Sequence, residues 1–297
     1  MNYLGIDIGG TKVAMRAEGE DAEPHETSFR WPVPAEVRAD LAALESHVAT
    51  LRHRWPEPFD AVGVAVPATL DAAGRVLTWP GRPVWEGADL VSRLRALFPG
   101  SAVRCADDGD LAALAEADRA GCRDVVYIGV GTGIGGGVVV NGESVPGPAR
   151  GSCEIGHLVV DPSGDKCDCG RLGCVQAAAS GPAVLRRAGE LRGCPVTFDE
   201  LRAAWADGQP WARSALDTGA AALATAVTGL CELVHPDLVL IGGGFAAALP
   251  DFVPAVAERT RLLARPGSPA PPVEAAALGG LSSLHGALLL ARREESA

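Results

Sequence analysis

One histidine and three cysteines crowd a short run of this chain. Glu154-Ile155-Gly156-His157 is followed by nine residues and then by Cys167-Asp168-Cys169-Gly170-Arg171-Leu172-Gly173-Cys174. Thiolates and an imidazole suit a borderline-soft cation, and tetrahedral zinc takes four such ligands. Gly170 and Gly173 allow a tight loop to wrap it. A shell closed by His157, Cys167, Cys169 and Cys174 leaves no open position, so the metal is expected to be structural and to activate no water. Glu154 stands three residues before His157, so a metal loop and a polar substrate contact can share one segment. The alternative, three unpaired core cysteines and a surface histidine, fits poorly with Cys-x-Cys-Gly-x-x-Gly-Cys. Cys105, Cys122, Cys153, Cys194 and Cys231 are scattered and no secretory leader is seen. Reduced thiols and a cytoplasmic location are therefore expected.

Two glycine turns could bind an anion. Asp7-Ile8-Gly9-Gly10-Thr11-Lys12 directly follows an apolar strand pattern. Its glycines can bring backbone N–H groups to a phosphate, Thr11 adds a hydroxyl, and Asp7 can hold Mg²⁺ through its water shell. A plain hairpin turn is the alternative. Gly131-Thr132-Gly133 opens a second such turn, in Gly129-Val130-Gly131-Thr132-Gly133-Ile134-Gly135-Gly136-Gly137. No Gly-Lys-Ser/Thr follows, which excludes a Walker loop, and a strand follows where a dinucleotide fingerprint has a helix. Packing alone could also ask for these glycines. Gly242-Gly243-Gly244 ends a third apolar run and could lie beside an adenine or ribose. Asp107-Asp108-Gly109-Asp110 sits at a strand-to-helix junction. Its acids can cap the helix, or one can be a general base. Phosphoryl transfer needs the acceptor hydroxyl positioned, its proton accepted and the phosphate charge neutralised.

The elements that must position these groups follow from periodicity. Strands are expected over 3–8, 13–17, 61–66, 75–78, 103–106, 124–130, 135–140 and 237–241, with a hairpin turn at Asn141-Gly142. Helices are expected over 34–54, 88–98, 111–120, 177–191, 198–206, 211–234, 252–263 and 286–295. Strand, Gly-Thr turn, strand occurs twice, over 7–16 and 129–140, which implies a duplicated α/β architecture of two lobes facing across a cleft. The expected lobes are 1–121, completed by a C-terminal helix over 286–297, and 122–285.

With 297 residues, 47% apolar and 21% charged, the chain is long enough for one large core or two moderate ones. A net charge of −11 argues against a nucleic-acid partner. No uninterrupted apolar run approaches about 18 residues, so a membrane span is not expected.

In order and spacing, Asp-Ile-Gly-Gly-Thr-Lys at 7–12, Gly-Thr-Gly-Ile-Gly-Gly-Gly at 131–137, Glu154-Ile-Gly-His157 and the cysteine loop at 167–174 resemble the ROK family of sugar kinases along essentially the whole chain. The resemblance implies an actin-like, ribonuclease-H-type pair of lobes, ATP with Mg²⁺, a structural zinc, a polyol acceptor, and a homodimer or dimer of dimers. It implies Asp108 as the base that takes the acceptor's proton, and Glu154 and His157 as sugar contacts, His157 also binding zinc with Cys167, Cys169 and Cys174. Gly9, Gly10, Thr11 and Lys12, with Gly131, Thr132 and Gly133, become phosphate clamps beside Asp7, and Gly242 and Gly243 the adenosine edge. A repressor of this family would carry a DNA-binding segment before the first glycine turn, and that turn begins here at residue 7.

The sequence departs from the family at acceptor-facing positions. Asn-Asp-Ala-Asn is written here as Asp107-Asp108-Gly109-Asp110, Gly-Cys-Leu-Glu as Gly173-Cys174-Val175-Gln176, and Pro-Asn as Pro80-Gly81. Asp107 removes amide donors and Gln176 adds them. A site built for one hydroxyl pattern rejects another, because buried partners are left unpaired. Gly81, Asp107 and Gln176 thus point to a sugar derivative or a C7-cyclitol as acceptor. An ordinary glucokinase and an inactive sugar sensor are the alternatives.

Overall fold

The computed structural model describes residues 1–20, 22–147 and 151–293. Their contacts divide into two units. The first takes the described residues of 1–115, 146–152 and 281–297; the second takes 116–145 and 153–280.

The first unit is built on a five-stranded sheet. Its strands β1 (Asn2–Ile8), β2 (Lys12–Gly19) and β3 (Ala22–Arg30) form an antiparallel meander. β4 (Ala61–Val66) and β7 (Ala102–Asp107) add in parallel on the other side of β1. The order is β3-β2-β1-β4-β7. β4 reads Ala-Val-Gly-Val-Ala-Val and is buried at every position, the pattern of a strand covered on both faces. The helix α1 (Val37–Arg54) packs through Leu44, Val48 and Leu51. The final helix, α10 (Ser282–Arg292), lies on β1 and β4. A Cβ on Gly63 would stand 1.9 Å from the Ala287 carbonyl oxygen, so only glycine lets the helix seat there. The expected helix over 286–295 thus begins four residues earlier, and positions 294 and 295 lie outside the described residues, as do 296 and 297. Smaller elements are β5 (Thr69–Leu70) paired with β6 (Val76–Thr78), and α2 (Leu90–Leu97), capped by the Asp89 carboxylate. Helix α3 (Asp108–Ala120) starts where β7 stops.

The second unit repeats the plan. Strands β8 (Val125–Val130), β9 (Ile134–Val140) and β10 (Glu143–Val145) form an antiparallel meander. β11 (Leu238–Gly242) and β12 (Val273–Ala275) add in parallel, giving the order β10-β9-β8-β11-β12. Three antiparallel strands plus two parallel ones in each unit match the duplication read from the two Gly-Thr turns. Asn141 and Gly142 both take positive φ, 54° and 83°, as a two-residue hairpin turn requires.

Around this sheet lie α6 (Phe198–Ala206), α7 (Pro210–Val234), the short α8 (Gly244–Ala247) and α9 (Phe252–Leu263). α7 has 25 residues and contains an 18-residue stretch of mean hydropathy 1.2, enough by length and composition to cross a membrane. It is the core helix of this unit: Leu216, Leu223 and Val227 are buried and it packs on α9.

The helix expected over 177–191 is two helices, α4 (Val175–Ala179) and α5 (Gly181–Arg192). Ser180 leaves the helical region, and its hydroxyl accepts the Ala183 N–H with Pro182 in the first turn. Serine then proline is a helix start, and it overrides the apolar spacing that runs through it.

Candidate active site

In the first unit the parallel strands bring their carboxyl ends together. Asp7 pairs in register with Ala65, and Val66 with Asp107. Ligands of parallel α/β sheets sit at such ends. The turn after β1 closes through the Gly9 N–H donating to the Lys12 carbonyl at 2.9 Å. Trp31 holds it from both sides: its backbone N–H donates to the Thr11 carbonyl at 3.1 Å, and its indole N–H to the Gly9 carbonyl at 2.8 Å. Thr11 and Lys12 are exposed. Gly81 lies against this turn, so close that a Cβ on Gly10 would be 3.1 Å from the Gly81 Cα.

The acids at the β7–α3 junction divide their work. Asp107 Oδ1 accepts the N–H groups of Gly109 and Asp110 at 3.0 and 3.3 Å, an N-cap that satisfies two helix donors. Burial pushes the Asp108 carboxyl from 3.8 up to about 6, and the Asp7 charge adds to the rise. Asp7 is likewise raised to about 6 by burial, against the pull of Lys12. Two carboxyls that share a field and hold protons unusually well are suited to accept a proton or to bind a divalent cation. The Ser283 hydroxyl of α10 donates to the Asp108 carbonyl at 3.2 Å and steadies the start of α3.

In the second unit the turn between β8 and β9 closes through the Gly131 N–H donating to the Gly133 carbonyl at 2.9 Å. Gly181, at the start of α5, donates its N–H to the Gly131 carbonyl, also at 2.9 Å. Thr132 is exposed at the tip. Gly243 has φ +86°, and a Cβ there would lie 2.4 Å from the Val130 carbonyl oxygen, so the third glycine run packs directly behind this turn. Gly242, buried, ends β11 beside the Tyr127 hydroxyl. Gln176 Oε1 accepts the Ile134 N–H at 3.0 Å. A Cβ on Gly156 would meet the Ile134 carbonyl oxygen at 2.1 Å, so the tight turn Ile155–His157 presses on the same strand. Gly131, Thr132, Gly133, Gln176, Gly243 and the 154–157 segment are thus gathered at one end of the second sheet.

His157, Cys167, Cys169 and Cys174 offer ligand atoms that all lie within 4.8 Å of one another. Cys167 Sγ is 3.6 Å from His157 Nδ1, and Cys169 Sγ is 3.6 Å from Cys174 Sγ. Tetrahedral zinc with its usual bond lengths needs S···N edges of about 3.6 Å and S···S edges of about 3.8 Å. These two edges match, and the four residues are placed to hold such an ion. A backbone hydrogen bond from Arg171 is the main influence pushing the Cys169 thiol down to about 7, towards the thiolate a metal binds.

Sequence reading missed several members of this arrangement. Trp31 and Ser283 carried no motif. Gly181 falls inside the helix expected over 177–191. Arg82, one residue after Gly81, belongs to no motif.

The sequence profile of the ROK family matches residues 3–294. The chain belongs to the ROK family. A kanosamine kinase of Amycolatopsis mediterranei (strain S699) is 57% identical over 289 residues, covering 97% of this chain and 95% of that protein. A glucokinase of Thermotoga maritima is 30% identical over 268 residues, covering 84% and 83%. Among solved structures, a ROK hexokinase from Thermus thermophilus superposes with a TM-score of 0.86 at 30% identity, covering 98% of each chain. A ROK glucokinase from Streptomyces griseus, solved with glucose and AMPPNP, gives 0.81 at 26% identity over 99% and 100%. This ROK protein therefore has the two-lobed actin-like ATPase fold and is a sugar kinase, a phosphotransferase acting on an alcohol group.

Proposed function

We propose that the acceptor is an amino sugar of the kanosamine type, 3-amino-3-deoxyglucose, phosphorylated on a hydroxyl by ATP. The observation that carries this reading is Asp107. The relative 57% identical over nearly the full chain is named for an amino sugar. Asp107 supplies a reason: where ROK kinases commonly have asparagine, this chain sets a carboxylate beside Asp108. The cap on α3 engages its Oδ1, and asparagine would serve that cap equally well. What aspartate adds is charge, and an ammonium on the acceptor answers it.

In this reading the acceptor oxygen attacks the γ-phosphorus, its proton passes to Asp108, and ADP leaves. Asp7 would hold Mg²⁺, which would supply neutralisation of the phosphate charge. The N–H groups of Gly9, Gly10, Gly131 and Gly133, with Thr11, Lys12 and Thr132, bind the phosphates; Gly242 and Gly243 border the adenosine. Gly81, Asp107, Glu154, His157 and Gln176 contact the sugar. His157, Cys167, Cys169 and Cys174 would hold zinc, which would fix the loop that carries Glu154 and Gln176. The functional lobes are 1–121 with 286–297, and 122–285. The enzyme works in the cytoplasm as a homodimer or dimer of dimers.

Asp107→Asn tests the acceptor. A hydrogen bond to a charged group contributes about 1.5–3 kcal/mol. The variant should lose about 10- to 150-fold in kcat/KM for kanosamine and change little for glucose, with ATP-coupled rates measured on both and on a C7-cyclitol. Wild-type preference for glucose or the cyclitol, or an unchanged kanosamine rate in the variant, would refute the reading.

A further inference from the structure

Asp40 is wholly buried and Arg82 is 6% exposed, in a chain whose other ion pairs are largely at the surface among the described residues. Arg82 Nε donates to Asp40 Oδ2 at 2.6 Å, and Nη2 donates to Oδ1, a bidentate fork. The Trp85 indole N–H donates to Asp40 Oδ2 at 2.8 Å. Arg82 Nη2 also donates to the Pro32 carbonyl at 3.2 Å. The guanidinium lies over the Trp31 ring, 5.1 Å from its centroid. Removing two charges from water is costly, and a buried pair of this kind is weak evidence for stability. Its geometry shows what it secures.

Trp31 grips both ends of the Gly9–Lys12 turn, through Gly9 and Thr11. Arg82 directly follows Gly81, which touches Gly10. The contacts therefore close a ring: Gly81, Arg82, Trp31, Gly9, Gly10 and back to Gly81. Asp40, from α1, fixes the arginine at the centre.

We propose that Arg82, clamped by Asp40 and stacked on Trp31, is a positioning residue that locks the acceptor loop at Gly81 to the phosphate turn at Gly9–Thr11. The proposal rests on the roles assigned to those two segments above. Both segments it joins belong to the first unit, so its effect is to hold the donor and acceptor segments of that unit in one register. A misplacement of about 1 Å in such a register costs about 100-fold in rate.

Two variants separate positioning from folding. Trp31→Phe keeps an aromatic ring beside the guanidinium and deletes the indole N–H to Gly9, with some loss of ring volume. Arg82→Lys keeps the charge and loses the planar fork. Trp31→Phe should raise KM for ATP about 2- to 12-fold, the range of one neutral hydrogen bond. Arg82→Lys should raise KM for both ATP and the sugar and lower kcat at least tenfold, with a melting temperature within a few degrees of wild type. Should Arg82→Lys fail to fold, Trp31→Phe decides alone. Wild-type KM values in the folded variants, or a fall in kcat with both KM values unchanged, would overturn the proposal. Asp108→Asn is the reference: if it stays active, the site reading itself fails, whereas an inactive Asp108→Asn beside unaltered Trp31→Phe and Arg82→Lys sinks this inference alone.

Discussion

Replacing Asp108 by asparagine should make the protein more stable and almost inactive, and the two effects have separate magnitudes. Burial and the Asp7 charge raise the Asp108 carboxyl from 3.8 to about 6. Each unit is worth about 1.4 kcal/mol, so the charged form costs about 3 kcal/mol in the folded state. The folded pKa is the higher one, so the folded protein holds the proton more tightly than the unfolded chain. The cost is therefore fully present above about pH 6 and fades as pH falls towards 3.8. Asp108→Asn, neutral at every pH and of the same shape, should gain up to about 3 kcal/mol at pH 8 and about 1 kcal/mol at pH 4.5. Asp7 is raised as well, and the two titrate as a pair, so part of the gain appears as a lower pKa for Asp7.

Activity should move the other way, because loss of a general base costs about 100- to 10,000-fold in kcat. Urea unfolding of wild type and variant at pH 8 and pH 4.5, with ADP release measured on the same preparations, reads both. A variant that is less stable at pH 8, a stability gap that widens as pH falls, or a kcat within tenfold of wild type would each refute the reasoning. Stability spent on an active-site charge is the usual form of a stability–activity trade-off.

Cys169→Ser should lose bound zinc by elemental analysis and lower activity at least tenfold with Asp108 untouched; full activity without metal would break the link between the loop and the site. Gly63→Ala places a methyl 1.9 Å from the Ala287 carbonyl, and should destabilise the protein by about 3 kcal/mol or more in urea, whereas wild-type stability would show that α10 is seated elsewhere. Gln176→Met leaves the Ile134 N–H without its side-chain acceptor; it should cost about 1–3 kcal/mol and raise KM for ATP by loosening the Gly131 turn, and an unchanged KM would detach Gln176 from that turn.

What the sequence made legible was whatever residue type alone encodes. Zinc ligation is written in thiols and an imidazole, and β4 in an unbroken apolar run. The two Gly-Thr turns showed the duplication because each lies between apolar strands. β10 and β12 escaped notice because three residues are too few to display alternation. The break at Ser180 was written in Ser-Gly-Pro, but the apolar spacing on either side continued in phase and hid it. Asp40 and Arg82 are 42 residues apart. An aspartate in the first turn of a helix is ordinarily a solvated charge at the positive end of the dipole, and no local rule says that this one is buried. In the candidate site the sequence marked the acids at the β7–α3 junction as caps or as a base. In the structure Asp107 makes the cap and Asp108 has the perturbed proton affinity, a division that depends on depth and not on residue type.

The charge distribution links these assignments. The carboxyl end of the first sheet carries Asp7, Asp107, Asp108 and Asp110 in a chain of net charge −11, with Lys12 the cation acting on Asp7. A nucleotide triphosphate brought to such a place alone would meet repulsion from its surroundings. A divalent cation at Asp7 would reverse that sign, and the glycine turns, which contribute only partial charges, would then suffice for the phosphates. The same reasoning applies to the acceptor. In the proposed reading, Asp107 adds a carboxylate to a region where burial already pushes Asp7 and Asp108 towards the protonated form. An ammonium-bearing sugar would bring a compensating positive charge there, which favours the ionised base that proton abstraction requires. On this account, removing the Asp107 charge should cost about 10- to 150-fold with the amino sugar and little with glucose.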